Sequence, residues 1–77
     1  MRNLIEYILL HIVLHPDEVE VTEEEVDGRF EYVIRVHEED VGRVIGRQGR
    51  TIEAIRSLAK VRAMKDNIAV NIKVASE

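Results

Sequence analysis

The chemistry this sequence could carry is concentrated in nine consecutive residues, Val44-Ile45-Gly46-Arg47-Gln48-Gly49-Arg50-Thr51-Ile52. Two glycines three apart put no Cβ in the way of a bulky anion approaching the backbone, and a helix that opens just after them offers free N–H groups and the positive end of its dipole. That combination is a seat for phosphate. Arg43, Arg47 and Arg50 can add charge and forked hydrogen bonds. The aliphatic residues around the loop, Val41, Val44, Ile45 and Ile52, offer a nonpolar floor on which flat rings could lie, although the same four residues could simply fill a core. The spacing does not match the Walker A loop, despite the Gly-Arg-Thr ending. Glycine also serves many helix-to-helix turns for steric reasons alone, so the motif by itself does not establish binding.

Charge points the same way. The chain of 77 residues has a net charge of −4, but residues 1–40 hold 3 basic and 12 acidic side chains (−9) while residues 41–77 hold 8 basic and 3 acidic (+5). Within 43–65, Arg43, Arg47, Arg50, Arg56, Lys60, Arg62 and Lys65 face only Glu53. A basic half of this kind suits a polyanion, and a solvated helix face would look the same.

The other constellations are poorer. His11 and His15 stand four apart on a helical stretch, a spacing that can chelate a metal, but no third ligand is evident and no metal site is expected. Glu38 and Glu39 are adjacent, so on a helix they diverge by about 100° and do not converge on a substrate. Ser57, Ser76, Thr22, Thr51 and the three histidines assemble no nucleophile, base and orienting group. The expectation is a protein that is not an enzyme and needs no cofactor.

The elements that must position the loop follow from periodicity. Leu4, Ile5, Ile8, Leu9, Ile12 and Val13 recur at helical spacing, predicting a helix over residues 3–15 that Pro16 stops. Val19 and Val21 alternate with polar residues as a short strand, which Glu23-Glu24-Glu25 and the turn pair Asp27-Gly28 should end. Phe30, Tyr32, Ile34 and Val36 form the antiparallel return strand of a hairpin. Glu38, Glu39 and Asp40 suit the first turn of a short helix through Val41, Val44 and Ile45, which Gly46 closes in a left-handed conformation. A longer helix runs from near Arg50 to about Lys65 with Ile52, Ile55, Leu58 and Ala59 inward, and Ile68, Val70, Ile72 and Val74 make a last strand.

The resulting α-β-β-α-α-β order, with Ile45, Gly46, Gly49 and Ile52 in the register Ile-Gly-x-x-Gly-x-x-Ile between two helices, resembles the KH domains of type II. The whole chain, including the lead-in Glu39-Asp40-Val41-Gly42, is similar to the small single-domain KH proteins of bacteria, the KhpA-like family. The resemblance implies an α+β fold, a three-stranded sheet with helices packed on one face, and a single KH domain over 1–77. It also implies clamping of single-stranded RNA by Gly46, Arg47, Gln48 and Gly49, with Arg43, Arg50, Arg56, Val41, Val44 and Ile45 as flanking contacts and a role in post-transcriptional regulation. Aromatic stacking is not available near the loop, since Tyr7, Phe30 and Tyr32 are the only aromatics, so one copy should bind weakly. The resemblance further implies partnership with itself as a homodimer or with a larger KH-containing protein. The alternative role is a protein-interaction subunit with little direct RNA binding.

Length, composition and the helix wheel bear on that choice. With 45% hydrophobic and 34% charged residues the chain suits one small globular fold, and a fold this small often gains stability from a partner. Ala54, Ser57, Val61 and Met64 line up opposite the inward stripe of the longer helix, predicting a dimer interface there. The absence of cysteine fits a cytoplasmic, reducing setting. The apolar stretch Leu4 to Leu14 is interrupted by Glu6 and His11 and is far shorter than the roughly 20 residues of a membrane span, so no membrane association is expected.

Overall fold

The computed structural model describes residues 1–75, so Ser76 lies outside the described residues. Six regular elements carry the fold: α1 (Arg2–Leu10), β1 (Glu20–Val26), β2 (Arg29–Arg35), α2 (Val41–Ile45), α3 (Arg50–Lys65) and β3 (Ala69–Val74). Single 3-10 turns at Pro16–Glu18, Glu38–Asp40 and Arg47–Gly49 join them. The α-β-β-α-α-β order and the mixed α+β architecture are those expected.

Asp27 and Gly28 turn the β1–β2 hairpin with φ of 51° and 81°, the two positive angles that a two-residue connection matched to strand twist requires. The sheet order is β1-β2-β3, with β2 antiparallel to β1 and parallel to β3. Register places Val21, Ile34 and Val74 in one row across the sheet, and Tyr32 and Ile72 in the next. Val21, Tyr32, Ile34 and Ile72 are buried with Ile5 and Leu9 of α1, Val44 of α2, and Ile52, Ile55 and Ala59 of α3 in one cluster. The helices therefore cover one face of the sheet, while Thr22, Asn71 and Lys73 are exposed.

Four expectations are corrected. The first helix ends at Leu10, not near His15, and Pro16 opens a 3-10 turn instead of stopping a helix. The His11 and Ile12 N–H groups tighten the last turn onto Ile8 and Leu9, and the Leu14 and His15 N–H groups then donate to Asp40 Oδ1 and Oδ2 at 3.0 and 2.9 Å, so helical pairing does not resume before Pro16. The run Glu23-Glu24-Glu25 does not end β1 but lies within it. Glu23 and Glu25 sit opposite Tyr32 and Phe30 in the ladder yet remain exposed on this edge strand, Glu23 accepting the Tyr32 hydroxyl at 2.9 Å.

On α3 the inward stripe is Ile52, Ile55, Ala59 and Ala63, and Leu58 is 53% exposed. On a wheel of about 100° per residue, Leu58 lies roughly a quarter-turn from the axis of that stripe, and Ala63 lies on it. Small side chains at 59 and 63 let the neighbouring layer approach closely. Finally, Gly46 closes α2 at φ 77° and ψ 174°, an extended conformation of positive φ open essentially to glycine, and not in the left-handed helical region.

Candidate nucleic-acid interface

The loop between α2 and α3 is built by a succession of unusual backbone angles. After Gly46, Gln48 takes φ 56° and ψ 27°, and Gly49 takes φ 75° and ψ 14° before α3 begins at Arg50. The Gly46 N–H donates to the Gly42 carbonyl at 2.8 Å, and the Gly49 N–H donates back to the Gly46 carbonyl at 3.2 Å, so the turn is held from both ends. A Cβ on Gly46 would fall 2.8 Å from both the Cβ and the backbone N of Thr51, whereas one on Gly49 would meet nothing within 4 Å. Gly46 is thus pressed against the first turn of α3, and Gly49 faces open space.

That geometry leaves Arg47, Gln48 and Arg50 exposed around an open concavity of about 420 Å³. Among the described residues neither arginine has a carboxylate partner, so both charges are available to an anion. Arg43 and Arg56 are placed differently. The Arg43 guanidinium Nε lies 3.7 Å from Asp40 Oδ1. The Arg56 side chain donates from Nε to the Ile72 carbonyl at 3.1 Å and from Nη1 to Glu53 Oε2 at 2.8 Å. Each of these two cations is already engaged within the chain.

The aliphatic floor divides in two. Val44, expected as a flanking contact, is fully buried and, like Ile52, belongs to the core beneath the surface. Val41 is half-buried and Ile45 is 37% exposed, so these two reach the surface beside the loop.

Two features escape sequence reasoning. A second hollow, of about 310 Å³, lies between α3 and β3 and is lined by Glu53, Arg56, Lys60, Val70, Asn71 and Ile72. Arg56 and Lys60 belong to the basic run of residues 43–65, but nothing local showed that β3 would border it. The other is Asp40, the one charged residue in the buried set among the described residues. Burial alone would push its pKa up; the two backbone N–H bonds, together with His15 and Arg43 nearby, outweigh that and hold it below the ordinary carboxylate value. Asp40 therefore anchors the entry to α2, and through α2 the position of Gly46.

The sequence model of the KhpA/KhpB KH domain matches residues 2–74. The chain belongs to the KhpA/KhpB family of KH domains. Its similarity to individual members covers nearly the whole length of both partners. It is 47% identical over 74 residues to the RNA-binding protein KhpA of Thermotoga maritima, a match spanning 96% of this chain and 97% of that protein. It is 38% identical over 74 residues to the RNA-binding protein KhpA of Halalkalibacterium halodurans, and 35% identical over 77 residues to that of Chlamydia muridarum. No solved structure gives a significant match. Within this KhpA/KhpB domain, the segment that the Ile-Gly-x-x-Gly-x-x-Ile pattern marks is the loop just described. Among the described residues no helix is long and apolar enough to cross a membrane.

Proposed function

We propose that this KhpA/KhpB-family chain, acting as one KH domain, binds single-stranded RNA by closing the Gly46–Gly49 loop on the sugar-phosphate backbone. The observation that carries the reading is the loop itself: backbone bared by two glycines, at the start of a 16-residue helix, with Arg47 and Arg50 unpaired among the described residues. Relatives that match over the full chain are named RNA-binding proteins, which supports the same ligand. Bases leaving the loop would pass over Ile45 and Val41 toward the hollow beside β3, where Arg56 and Lys60 stand. Contacts to phosphate position a strand without reading it, so base preference should be modest. The role requires no bond to be made or broken, and it suits a cytoplasmic protein in post-transcriptional regulation.

The test is a double substitution of Arg47 and Gln48 by aspartate. Gln48 has a positive φ that aspartate tolerates, so the fold should persist while two negative charges occupy the phosphate seat. RNA affinity should collapse with an unchanged circular dichroism spectrum; unchanged affinity in a folded variant would refute the clamp. If three or four phosphates are engaged, log K should fall with log salt at a slope of about −2 to −3.

A second reading, pairing with itself or with a larger KH-containing protein, is favoured by the outer face of α3. Ala54, Ser57, Val61 and Met64 are all exposed, and Leu58 joins them. Val61 at 59% and Met64 at 78% exposure give this face more apolar surface than a solvated helix needs. Val61→Asp should leave the fold intact and shift a dimer to monomer in sedimentation. A parent that is monomeric at high concentration, or a variant that still dimerises, would remove this interface.

A further inference from the structure

The histidines are paired differently from their spacing in sequence. His11 is occupied locally, its Nδ1 2.8 Å from the Tyr7 carbonyl and its ring 4.5 Å from the Tyr7 ring. His15, beyond the end of α1, instead stacks on His37, which follows β2; the ring centroids are 3.9 Å apart and the planes differ by 18°. The Glu39 carboxylate closes the third side. Its Oε1 is 2.9 Å from His15 Nε2 and 3.9 Å from His37 Nδ1, and one ligand atom from each of the three residues lies within 4.8 Å of the other two.

The cluster is held in place from behind. Asp40 accepts the His15 backbone N–H, so the segment bearing His15 is fastened to the residue beside Glu39. His37 Nδ1 accepts the Glu39 N–H at 3.0 Å, which puts its lone pair on the Glu39 side and its proton on Nε2, facing Glu18 Oε2 at 3.8 Å. The Glu18 carboxylate, beyond hydrogen-bond distance, places negative charge behind that imidazole. Donor atoms about 2.0–2.1 Å from a tetrahedral ion stand roughly 3.3 Å from one another. The Glu39 oxygen stands 2.9 and 3.9 Å from the two imidazole nitrogens, which lie within 4.8 Å of each other; the stacked rings must turn out of parallel for both lone pairs to meet one ion, and Glu39, at 67% side-chain exposure, is free to adjust.

We propose that His15, His37 and Glu39 form a surface site for a divalent transition metal of the zinc class, through His15 Nε2, His37 Nδ1 and the Glu39 carboxylate, with water completing the coordination. The ion takes the place of the hydrogen that His15 and Glu39 share in the bare cluster, and His15 then carries its proton on Nδ1. It also displaces the Glu39 N–H from His37 Nδ1 toward solvent. Two imidazole nitrogens and one carboxylate oxygen suit zinc, nickel or copper and suit magnesium and calcium poorly. A bound ion would tie the connection between α1 and β1 to the lead-in of α2.

The experiment titrates tag-free protein with zinc chloride by calorimetry and follows thermal unfolding with zinc or magnesium present. One zinc per chain is expected, with a rise in Tm that magnesium does not reproduce. His15→Gln keeps the backbone bond to Asp40 and Glu39→Gln sits on the surface, so both should fold and bind zinc at least about tenfold more weakly. His11→Gln should bind as the parent does. Absence of saturable one-to-one binding in the parent overturns the proposal, as does parental affinity in His15→Gln and Glu39→Gln. Loss of binding in His11→Gln would move the ion to the His11–His15 pair and overturn it equally.

Discussion

Replacing Gly46 with alanine tests whether the loop is held by one steric contact. At φ 77° and ψ 174° an alanine is strained wherever its methyl points, at a cost of about 1–3 kcal/mol. Its Cβ would also lie 2.8 Å from the Cβ and backbone N of Thr51, inside van der Waals contact, and crowding of that kind costs roughly a further 1–3 kcal/mol. The backbone N belongs to the first turn of α3 and cannot rotate away as a side-chain end can. The sum, about 2–6 kcal/mol, would lower Tm by something on the order of 10 °C or more in a domain this small. Gly49→Ala provides the comparison: the same hand of φ, but open space around the new methyl, for about 1–2 kcal/mol. Thermal and urea unfolding of the two variants, and of Gly46→Ala combined with Thr51→Ala, decide the matter. Thr51→Ala removes only the hydroxyl and methyl, so the double variant should remain well below the parent. Equal costs for Gly46→Ala and Gly49→Ala, or full rescue by Thr51→Ala, would refute the close-approach argument.

Asp40→Asn keeps the size of the side chain but sets an amide NH₂ against one of the two N–H groups at Leu14 and His15, leaving donors facing each other in a buried place. Its Tm should fall well below that of Glu38→Gln, an exposed neighbour, and equal melting would show that the anchor is not needed. The Tyr32 phenol, buried and donating to Glu23 at 2.9 Å, has its pKa pushed up to about 12 by burial first and the Glu23 carboxylate second. The unfolded phenol ionises at the ordinary value of about 10, so unfolding releases a proton between there and about 12, and stability should fall as pH rises through that window. Tyr32→Phe should lose this part of the alkaline slope, as melts across the range will show. Ile72→Asp places an unpaired charge at a position 2% exposed in the core and should unfold the domain, whereas Lys73→Asp on the open face should cost less than about 1 kcal/mol. A cooperative melt of Ile72→Asp near that of the parent would reverse the assigned face of β3.

What the sequence by itself determined was whatever depends on a residue and its near neighbours. Asp27-Gly28 specifies a tight hairpin because both positions accept positive φ. The two glycines break the helical run at one place only, so α3 begins at Arg50 and ends at Lys65 as the periodicity predicts. The Ile-Gly-x-x-Gly-x-x-Ile register carries the family, because its spacing is local. Tertiary structure decided which surfaces meet. α3 offers apolar residues on two sides, and only its packing against the sheet made Ala63 core and Leu58 surface. Val44 and Val41 are alike in the sequence, yet one is sealed in the cluster and the other stands beside the loop. The first helix does not run on to His15 because, past a last turn closed on Ile8 and Leu9, a carboxylate 25 and 26 residues further on takes the Leu14 and His15 N–H groups. His15 finds His37 and not His11 for the same reason: helical spacing sets only which residues of one helix share a side, while a stacked pair across 22 positions exists once the chain has folded around Asp40.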